Sequence, residues 1–334
     1  MNFNISTDTS ILPDLDKLLR STYGTDKNFE YFLTDVHKAF TFCVNNDNID
    51  FRSVAGFEGD QLKAHAALIV DKRLAKEEAF FGFFEVPNDA VTFRSLWDAL
   101  IQEARRMGIS VIKGPVNGST WYQYRCIKKT DGSPLFKTEV ISQQYYYDLL
   151  ISQKPSAEVD YFSASREPYD IVLKMINSSS YEKLESYGFS MKVIKQVTTV
   201  ELKTLADISK IVFKDNWGYT ELNDAEFASL YSTEKLDAHL DSLYLLYKGK
   251  DIIGFCTTFK EDRSTLVLKT ICVLPEYRGL GFGNALAYKI HVDAKRDGIT
   301  KIIYALIRDG NSISNFPKEG AVIFRRYAAF EFNL

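Results

Sequence analysis

The feature that most constrains this chain is a strand that passes through a glycine-rich turn directly into a helix. Residues 265–273 predict the strand, Pro275 ends it, and the turn carries Gly279, Gly281 and Gly283 within five residues. Glycine tolerates positive φ and lets the backbone come close to a ligand. The first N–H groups of a helix have no partner inside it and lie at the positive end of its dipole. The run therefore predicts an anion cradle suited to a pyrophosphate.

Two other phosphate-binding loops fit this run less well. A dinucleotide-binding loop needs G-x-G-x-x-G immediately after a strand, but Asn284 stands at the place of the third glycine and five residues separate Val273 from Gly279. A Walker A loop needs G-K-[ST], which the run lacks. An ordinary glycine-rich turn that caps a helix is the simpler alternative, and Arg278 directly before the glycines argues against it.

The two halves of the chain predict the same order of elements, β-α-α-β-β-β-α-β-α-β. A chain of 334 residues is long for one core, and a shared order without evident identity suggests a duplicated fold. Asn177-Ser178-Ser179-Ser180 is the predicted boundary, which gives domains 1–178 and 179–334. The stretch from Gly118 to the helix near Ser142 predicts a loop.

Composition excludes several classes of protein. A net charge of −3 and a pI near 5.9 argue against a nucleic-acid partner. The four cysteines and four histidines stand in no ligand-like spacing, so we expect no metal and buried, reduced thiols. The N-terminus has no secretory signal pattern, and no apolar run approaches the roughly 20 residues that cross a bilayer. We therefore expect a cytoplasmic protein without a membrane partner.

The glycine-rich run resembles motif A of the GNAT (GCN5-related N-acetyltransferase) superfamily, whose pyrophosphate loop reads R/Q-x-x-G-x-G/A. Arg278, Gly281 and Gly283 fill that pattern without a gap, and the element order of residues 189–334 is similar to the same fold. The resemblance implies an α/β fold with an α+β mixed sheet, built as two tandem GNAT-like acyl-CoA N-acyltransferase domains. It also implies an enzyme that moves an acetyl or other acyl group from acyl-CoA to an amine of a small molecule or peptide.

The same resemblance implies which residues bind the acyl-CoA. In this family the strand before the loop splays from the next strand, and pantetheine lies in the resulting V. Cys272 and Val273 would lend backbone groups to pantetheine and the thioester carbonyl, and Asn311 matches the family's asparagine near pantetheine. The pyrophosphate would be held by the N–H groups of Arg278, Gly279, Leu280, Gly281, Phe282, Gly283 and Asn284.

The first half resembles a GNAT domain in element order only. Its strand at 79–86 is followed by Pro87-Asn88-Asp89, without glycines or an arginine, so a pyrophosphate has little to hold it. We interpret this half as a degenerate copy that supports the second or shapes the acceptor site. The stretch Gly114-Pro115-x-Asn117-x-Ser119 is similar to tandem-GNAT bacterial proteins of poorly defined substrate.

The catalytic pattern of the family is not complete in this sequence. Lys269 stands where many GNAT enzymes have a glutamate base, and the position of the family's acidic tyrosine is Lys318. Tyr327 is a candidate acid, and a strand aromatic packed in the sheet is the alternative. Without an assigned acid or base, proximity and desolvation would carry the rate, with a water chain or an amine that arrives neutral.

The acceptor site has three candidate residues, Trp217, Tyr219 and Glu221, in a predicted loop between two helices. In this family that loop faces the acceptor, and an aromatic pair with a carboxylate suits an ammonium group. A loop packed on the sheet is the alternative.

Two further functions stay open. Tandem-GNAT transferases of the Fem type take aminoacyl groups from tRNA, and a non-catalytic sensor or scaffold binds coenzyme A or nothing. The oligomeric state is not predicted, and a monomer with an internal pseudo-dimer is compatible with the duplication.

Overall fold

The computed structural model describes residues 1–175, 178–231, 240–310 and 320–334. The chain divides into two compact units. Unit 1 consists of Met1–Tyr161 and Arg325–Leu334, and unit 2 of Phe162–Phe324. The chain thus leaves unit 1 within one strand and returns to it within its last strand. The predicted domain limits, 1–178 and 179–334, follow the sequence repeat, and they stay a prediction.

The first repeat contains seven strands and four helices within the described residues. They are, in chain order, β1 Asn2–Ser6, α1 Leu12–Tyr23, α2 Phe29–Asn45, β2 Ile49–Glu58, β3 Gln61–Asp71, β4 Glu78–Glu85, α3 Ala90–Arg106, β5 Val111–Gly114, β6 Cys126–Thr130, α4 Tyr145–Ile151 and β7 Ala157–Arg166.

The second repeat follows with the elements α5 Asp170–Met175, α6 Ser179–Ser186, β8 Phe189–Ile194, α7 Thr199–Phe213, α8 Asp224–Leu230, β9 Ser242–Lys248, β10 Asp251–Lys260, β11 Thr265–Val273, a 3₁₀ turn Pro275–Tyr277, α9 Phe282–Arg296, β12 Lys301–Arg308 and β13 Val322–Asn333. None of the helices in the described ranges has the length and apolar character that crossing a bilayer requires.

The two units repeat one pattern of strand pairing. In unit 1, β1, β2, β3 and β4 pair in succession as antiparallel neighbours, and β4 pairs β5 in parallel. In unit 2, β8, β9, β10 and β11 are antiparallel neighbours, and β11 pairs β12 in parallel. The predicted mixed-sheet α/β fold, duplicated along the chain, is confirmed.

The strand β6 was not predicted, and the expectation of a continuous loop from Gly118 to Ser142 is wrong. Its five residues, Cys126–Thr130, pair with β13 through positions such as Ala328↔Cys126 and Arg325↔Thr130. Since β13 lies almost 200 residues further along the chain, no local pattern in residues 126–130 could reveal this partner.

The helix α3 shows how local sequence builds the core of unit 1. The Asp89 carboxylate accepts from the N–H groups of Val91 and Thr92, which caps the first turn. Apolar residues at three- and four-residue steps then face the sheet. These buried residues are Phe93, Leu96, Trp97, Leu100 and Ala104.

In unit 2, the helix α9 likewise packs apolar residues into the core. It begins after Gly281, which adopts a φ of 85°, and buries Phe282, Ala285, Leu286 and Ile290 against the sheet. The four cysteines of the chain are free and buried, as expected for thiols in cores. The start of α9 lies directly beyond the end of β11, and this junction carries the candidate site.

Candidate functional site

A cleft opens in unit 2 where β11 and β12 separate. Their parallel pairing runs from Thr265↔Lys301 to Leu268↔Tyr304 and ends there. Both strands continue beyond that pair, β11 to Val273 and β12 to Arg308. The strands therefore diverge in the direction of the glycine-rich turn. Beyond Leu268, the backbone N–H and C=O groups of β11 form no ladder hydrogen bonds with β12 within the described residues.

An irregularity in β11 lies at the point where the cleft begins. Thr257 of β10 pairs with Thr270 and Thr258 pairs with Leu268, so Lys269 is the extra residue of a β-bulge. Lys269 is exposed. Lys269 thus lies on a bulged segment of strand, directly after the last residue of β11 that pairs with β12.

The glycine-rich turn has the geometry that its sequence predicts. Gly279 and Gly281 adopt φ values of 79° and 85°, which residues with a Cβ atom rarely adopt. A Cβ atom on Gly279 or Gly283 would meet no atom within 4 Å. The backbone at these two positions is therefore open to a ligand rather than packed against the protein.

Backbone donors accumulate at this turn. The first hydrogen bond of α9 joins the Ala285 N–H to the Gly281 carbonyl. The N–H groups of Phe282, Gly283 and Asn284 come before that bond, so they have no partner inside the helix. They lie at the positive end of the helix dipole, where an anion is stabilised.

Aromatic packing beneath the turn holds it in place. The Phe282 side chain is 4% exposed and its ring centroid lies 4.3 Å from that of Phe189 on β8. Tyr277, in the 3₁₀ turn, contacts Phe189 edge-on at 6.1 Å. Leu280, by contrast, is 62% exposed. The turn therefore has a fixed base and an exposed tip.

Two cations lie beside this turn. Lys248 Nζ is 5.2 Å from the ring centroid of Tyr277 and 5.8 Å from that of Phe189, both within cation–π range. Arg278 is exposed, and its Nε makes a long hydrogen bond of 3.4 Å to the Val273 carbonyl. Sequence reasoning missed Lys248, because only the pairing of β8 with β9 brings this residue to the turn.

The Cys272 thiol is not available as a nucleophile. The residue is 5% exposed, and burial raises the pKa of this thiol to about 12, although Arg278 acts in the opposite direction. Cys272 pairs with Phe255, and Val273 with Gly254, near the start of β10. The assignment of the Cys272 and Val273 backbone to a ligand stays a prediction.

The candidate acceptor residues lie in the loop between α7 and α8. Trp217 and Tyr219 are half-buried and Glu221 is exposed. Burial, and to a smaller extent the Glu221 charge, raises the pKa of Tyr219 to about 12, so its hydroxyl stays protonated. These three residues form one local group, and their role in acceptor binding stays a prediction. Asn311 lies outside the described residues.

Tyr327 lies in unit 1, where it is fully buried. Its hydroxyl donates to the Glu139 carboxylate, which also accepts a bond of 2.6 Å from the Arg325 guanidinium. This network gives Tyr327 a place in the core of unit 1 and favours the packing alternative over a catalytic one.

The corresponding cleft of unit 1 is filled by its own chain. The parallel pairing of β4 and β5 ends at Phe80↔Lys113. Beyond it, the Val116 N–H donates to the Phe81 carbonyl at 2.8 Å, and the Phe83 N–H donates to Asn117 Oδ1 at 2.7 Å. The segment after β5 therefore uses the backbone groups of β4 that a ligand would need. This occupation gives the Pro115–Asn117 stretch a structural role that the sequence did not reveal.

Groups of three or more histidine, cysteine or carboxylate side chains able to hold a metal ion do not occur in the described part of the chain. The arrangement in unit 2 instead combines an open cleft, unpaired helix donors and two cations, which suits an extended ligand with a phosphate group.

Comparison with known proteins agrees with this geometry. Residues 207–315 match the acetyltransferase (GNAT) family. This range contains the cleft, the glycine-rich turn and α9. No curated protein sequence matches the chain.

Several solved structures resemble nearly the whole chain. A tandem GNAT protein from the clavulanic acid biosynthesis pathway is 10% identical, with a TM-score of 0.59 over 99% of this chain and 98% of that chain. A GCN5-related N-acetyltransferase from Sphaerobacter thermophilus is 12% identical, with a TM-score of 0.52 over 99% and 95%. A conserved protein of unknown function from Enterococcus faecalis V583, a probable N-acyltransferase, is 8% identical, with a TM-score of 0.59 over 98% and 72%. At these identities the likeness establishes the fold alone.

Proposed function

Because residues 207–315 match the acetyltransferase (GNAT) family and the fold resembles that of a tandem GNAT protein, we propose that unit 2 binds an acyl-CoA and transfers its acyl group to an amine. The observation that carries this proposal is the open backbone of the turn at Gly279–Gly283, which precedes the first hydrogen bond of α9. Acetyl-CoA is the first donor to test.

The residues of the turn fit a pyrophosphate. Their N–H groups are donors on the dipole-positive end of α9, and the two glycines leave room for the phosphate oxygens. Lys248 and Arg278 add positive charge beside them. The cleft between β11 and β12 would take the pantetheine arm, with backbone groups of Cys272 and Val273 along one side.

Catalysis would depend on positioning rather than on a carboxylate base. Lys269 stands where a carboxylate base would be, so the acceptor would have to arrive as the free amine or lose its proton to water. Holding the amine next to the thioester can supply about 7–11 kcal/mol of barrier reduction in favourable cases. The Tyr219 hydroxyl, protonated at neutral pH, and the loop around it would orient the acceptor and exclude water.

The acceptor class is an amine of a small molecule or peptide. Trp217 and Tyr219 offer aromatic faces and Glu221 a carboxylate, a set that suits a positively charged group on the acceptor. We also propose that the chain acts without a metal and that its acceptor is not a nucleic acid.

A matched pair of glycine variants tests the cradle. Gly279 and Gly298 adopt similar φ values, 79° and 76°, and a Cβ atom on either would meet no atom within 4 Å. Gly279→Ala places a methyl group where the pyrophosphate would lie, whereas Gly298→Ala changes the far end of α9. Calorimetry with acetyl-CoA should show affinity reduced about tenfold or more in Gly279→Ala and unchanged in Gly298→Ala.

A thiol-release assay over a panel of amines then separates the transferase from the alternatives. Release of free CoA that depends on an added amine supports the proposal. Binding of acetyl-CoA without turnover on any amine would support a sensor or scaffold. Transfer from aminoacyl-tRNA, with no affinity for acetyl-CoA, would support the Fem-type alternative.

A further inference from the structure

Unit 1 contains a cavity of its own, which borders the filled cleft at Phe83, Pro115 and Asn117. It measures about 40 Å³, against the ~10–15 Å³ that one water molecule needs by the same measure. Leu15 and Leu19 of α1 and Phe32 and Val36 of α2 form its apolar wall. The cavity therefore has room for a group of a few heavy atoms, and its polar groups decide what that group can be.

Glu85 is the residue with a carboxyl group in the lining of this cavity. The residue is 8% exposed, at the end of β4. The hydroxyls of Tyr23 and Tyr146 both donate to its Oε2, at 3.0 and 2.7 Å. Among the described residues no donor contacts Oε1. One oxygen of this carboxylate, on a residue that lines the cavity, thus has no hydrogen bond within the described residues.

Gln123 supplies a second acceptor at the same place. Its side-chain oxygen Oε1 is buried, has no hydrogen-bond partner within the described residues, and belongs to the lining of the cavity. Buried polar groups in proteins are nearly always paired. This buried acceptor, together with a carboxylate oxygen that has no donor, indicates a ligand that donates hydrogen bonds.

The other charged groups near Glu85 leave it without a counter-ion. The guanidinium of Arg125, which also lines the cavity, lies between the rings of Tyr124 and Tyr161, at 3.8 and 4.1 Å from their centroids. His65, the β3 partner of Glu85, bonds to the Phe83 carbonyl and to Ser53, and burial lowers its pKa to about 4. Tyr145, on α4, donates to the Val86 carbonyl instead. Burial raises the pKa of Glu85 to about 7, and none of these groups supplies a cation that would keep the carboxylate ionised. A cationic ligand would do so.

The position of Glu85 in the repeat supports a separate role for this cavity. Glu85 in β4 and Val273 in β11 follow the last parallel pair of their units at the same distance, and a proline stands at the same distance after each, Pro87 and Pro275. Unit 1 thus has a carboxylate where unit 2 has an apolar residue of the candidate acyl-CoA cleft.

We propose that the cavity of unit 1 binds the ammonium group of a small primary amine through Glu85 Oε1 and Gln123 Oε1. The ammonium group donates three hydrogen bonds, and its positive charge would balance the negative charge of the carboxylate. The ring of Tyr146, which lines the cavity, would add a cation–π contribution. The site is independent of acyl-CoA binding in unit 2.

Calorimetry with methylamine, ethylamine and propylamine tests the site, with ethanol as a neutral probe of similar size. We expect the amines to bind and ethanol not to bind. Glu85→Gln should weaken amine binding roughly 10- to 100-fold, because the charge-assisted bond is lost. Glu78→Gln, the same change at the start of the same strand, is the control and should leave amine binding intact.

Other outcomes decide against the proposal. If no amine binds the wild-type protein, the cavity holds water only. If Glu85→Gln binds amines as well as the wild type does, the amines bind elsewhere. Should Glu85→Gln fail to fold, Gln123→Met removes the second acceptor at similar volume, and retained amine affinity in that variant overturns the proposal. Acetyl-CoA affinity, measured on the same samples, tests the proposed function separately, and it should not change in either variant.

Discussion

The ring of Phe282, the first residue of α9, packs on the ring of Phe189 at the start of β8, with 4.3 Å between their centroids. This contact ties the glycine-rich turn to the edge of the sheet in unit 2. The preceding residue, Gly281, has a φ of 85°, and α9 begins directly after it. A fixed cradle of donors depends on that anchor.

The variant Phe282→Ala should lose stability and acyl-CoA affinity together. Removal of a buried phenylalanine ring costs about 3–5 kcal/mol, and the turn loses its base. Urea unfolding and calorimetry with acetyl-CoA measure the two effects. Phe282→Leu, which retains most of the volume, should keep most of both. Loss of stability with unchanged affinity would show that the turn does not need this anchor.

The variant Lys248→Gln should weaken acetyl-CoA binding and make it less dependent on salt. Lys248 is the cation beside Tyr277 and the turn, and an exposed charge acts on a phosphate through a field that salt screens. We expect a reduction of about three- to tenfold at low salt. Lys250→Gln, two residues further along the same hairpin, is the control. Equal effects of the two variants would mean that only general charge matters.

The variant Tyr327→Phe should reduce stability and leave the rate of acyl transfer unchanged. Its hydroxyl donates to Glu139 in the core of unit 1, and loss of a hydrogen bond to a buried charged group costs about 1.5–3 kcal/mol. Urea unfolding and a thiol-release assay provide the two measurements. A drop in kcat at unchanged stability would instead restore Tyr327 as a catalytic acid.

Acid should destabilise unit 2 through His291. This side chain is fully buried, with Nε2 2.7 Å from the Tyr304 hydroxyl, and burial lowers its pKa to about 4. The His291 imidazole binds a proton less readily in the folded protein than in the unfolded chain. The contribution of neutral His291 to the unfolding free energy is therefore fully present above pH 6.5 and is lost as the pH falls towards 4. The difference in unfolding free energy between wild type and His291→Gln should therefore shrink by roughly 3 kcal/mol over that window. A constant difference from pH 7 to 4.5 would contradict the assignment.

Acetyl-CoA should bind with a stoichiometry of one per chain. In unit 1, Val116 and Asn117 hold the backbone of β4 that borders the cleft, and no glycine follows Pro87 before α3. Calorimetry gives the stoichiometry directly. Two sites of similar affinity would mean that the segment after β5 is displaced by the ligand.

Local sequence determined the parts of this protein whose causes are local. The bounds of α1, the Asp89 cap of α3 and the glycine-rich entry to α9 all follow from residue periodicity, capping and positive φ, which act within a few residues. The order of helices and strands in the two halves could be predicted for the same reason, because each element depends on a local pattern.

Tertiary structure alone decided the features that join distant residues. The pairing of β6 with β13, the placement of Lys248 beside Tyr277, and the filling of the unit 1 cleft by Asn117 each need contacts between separate elements. The acceptors of Glu85 and Gln123 share a cavity only because α1, α2 and the end of β4 enclose it. A sequence records which groups a chain carries, whereas burial and pairing between remote segments decide which of those groups stay available to a ligand.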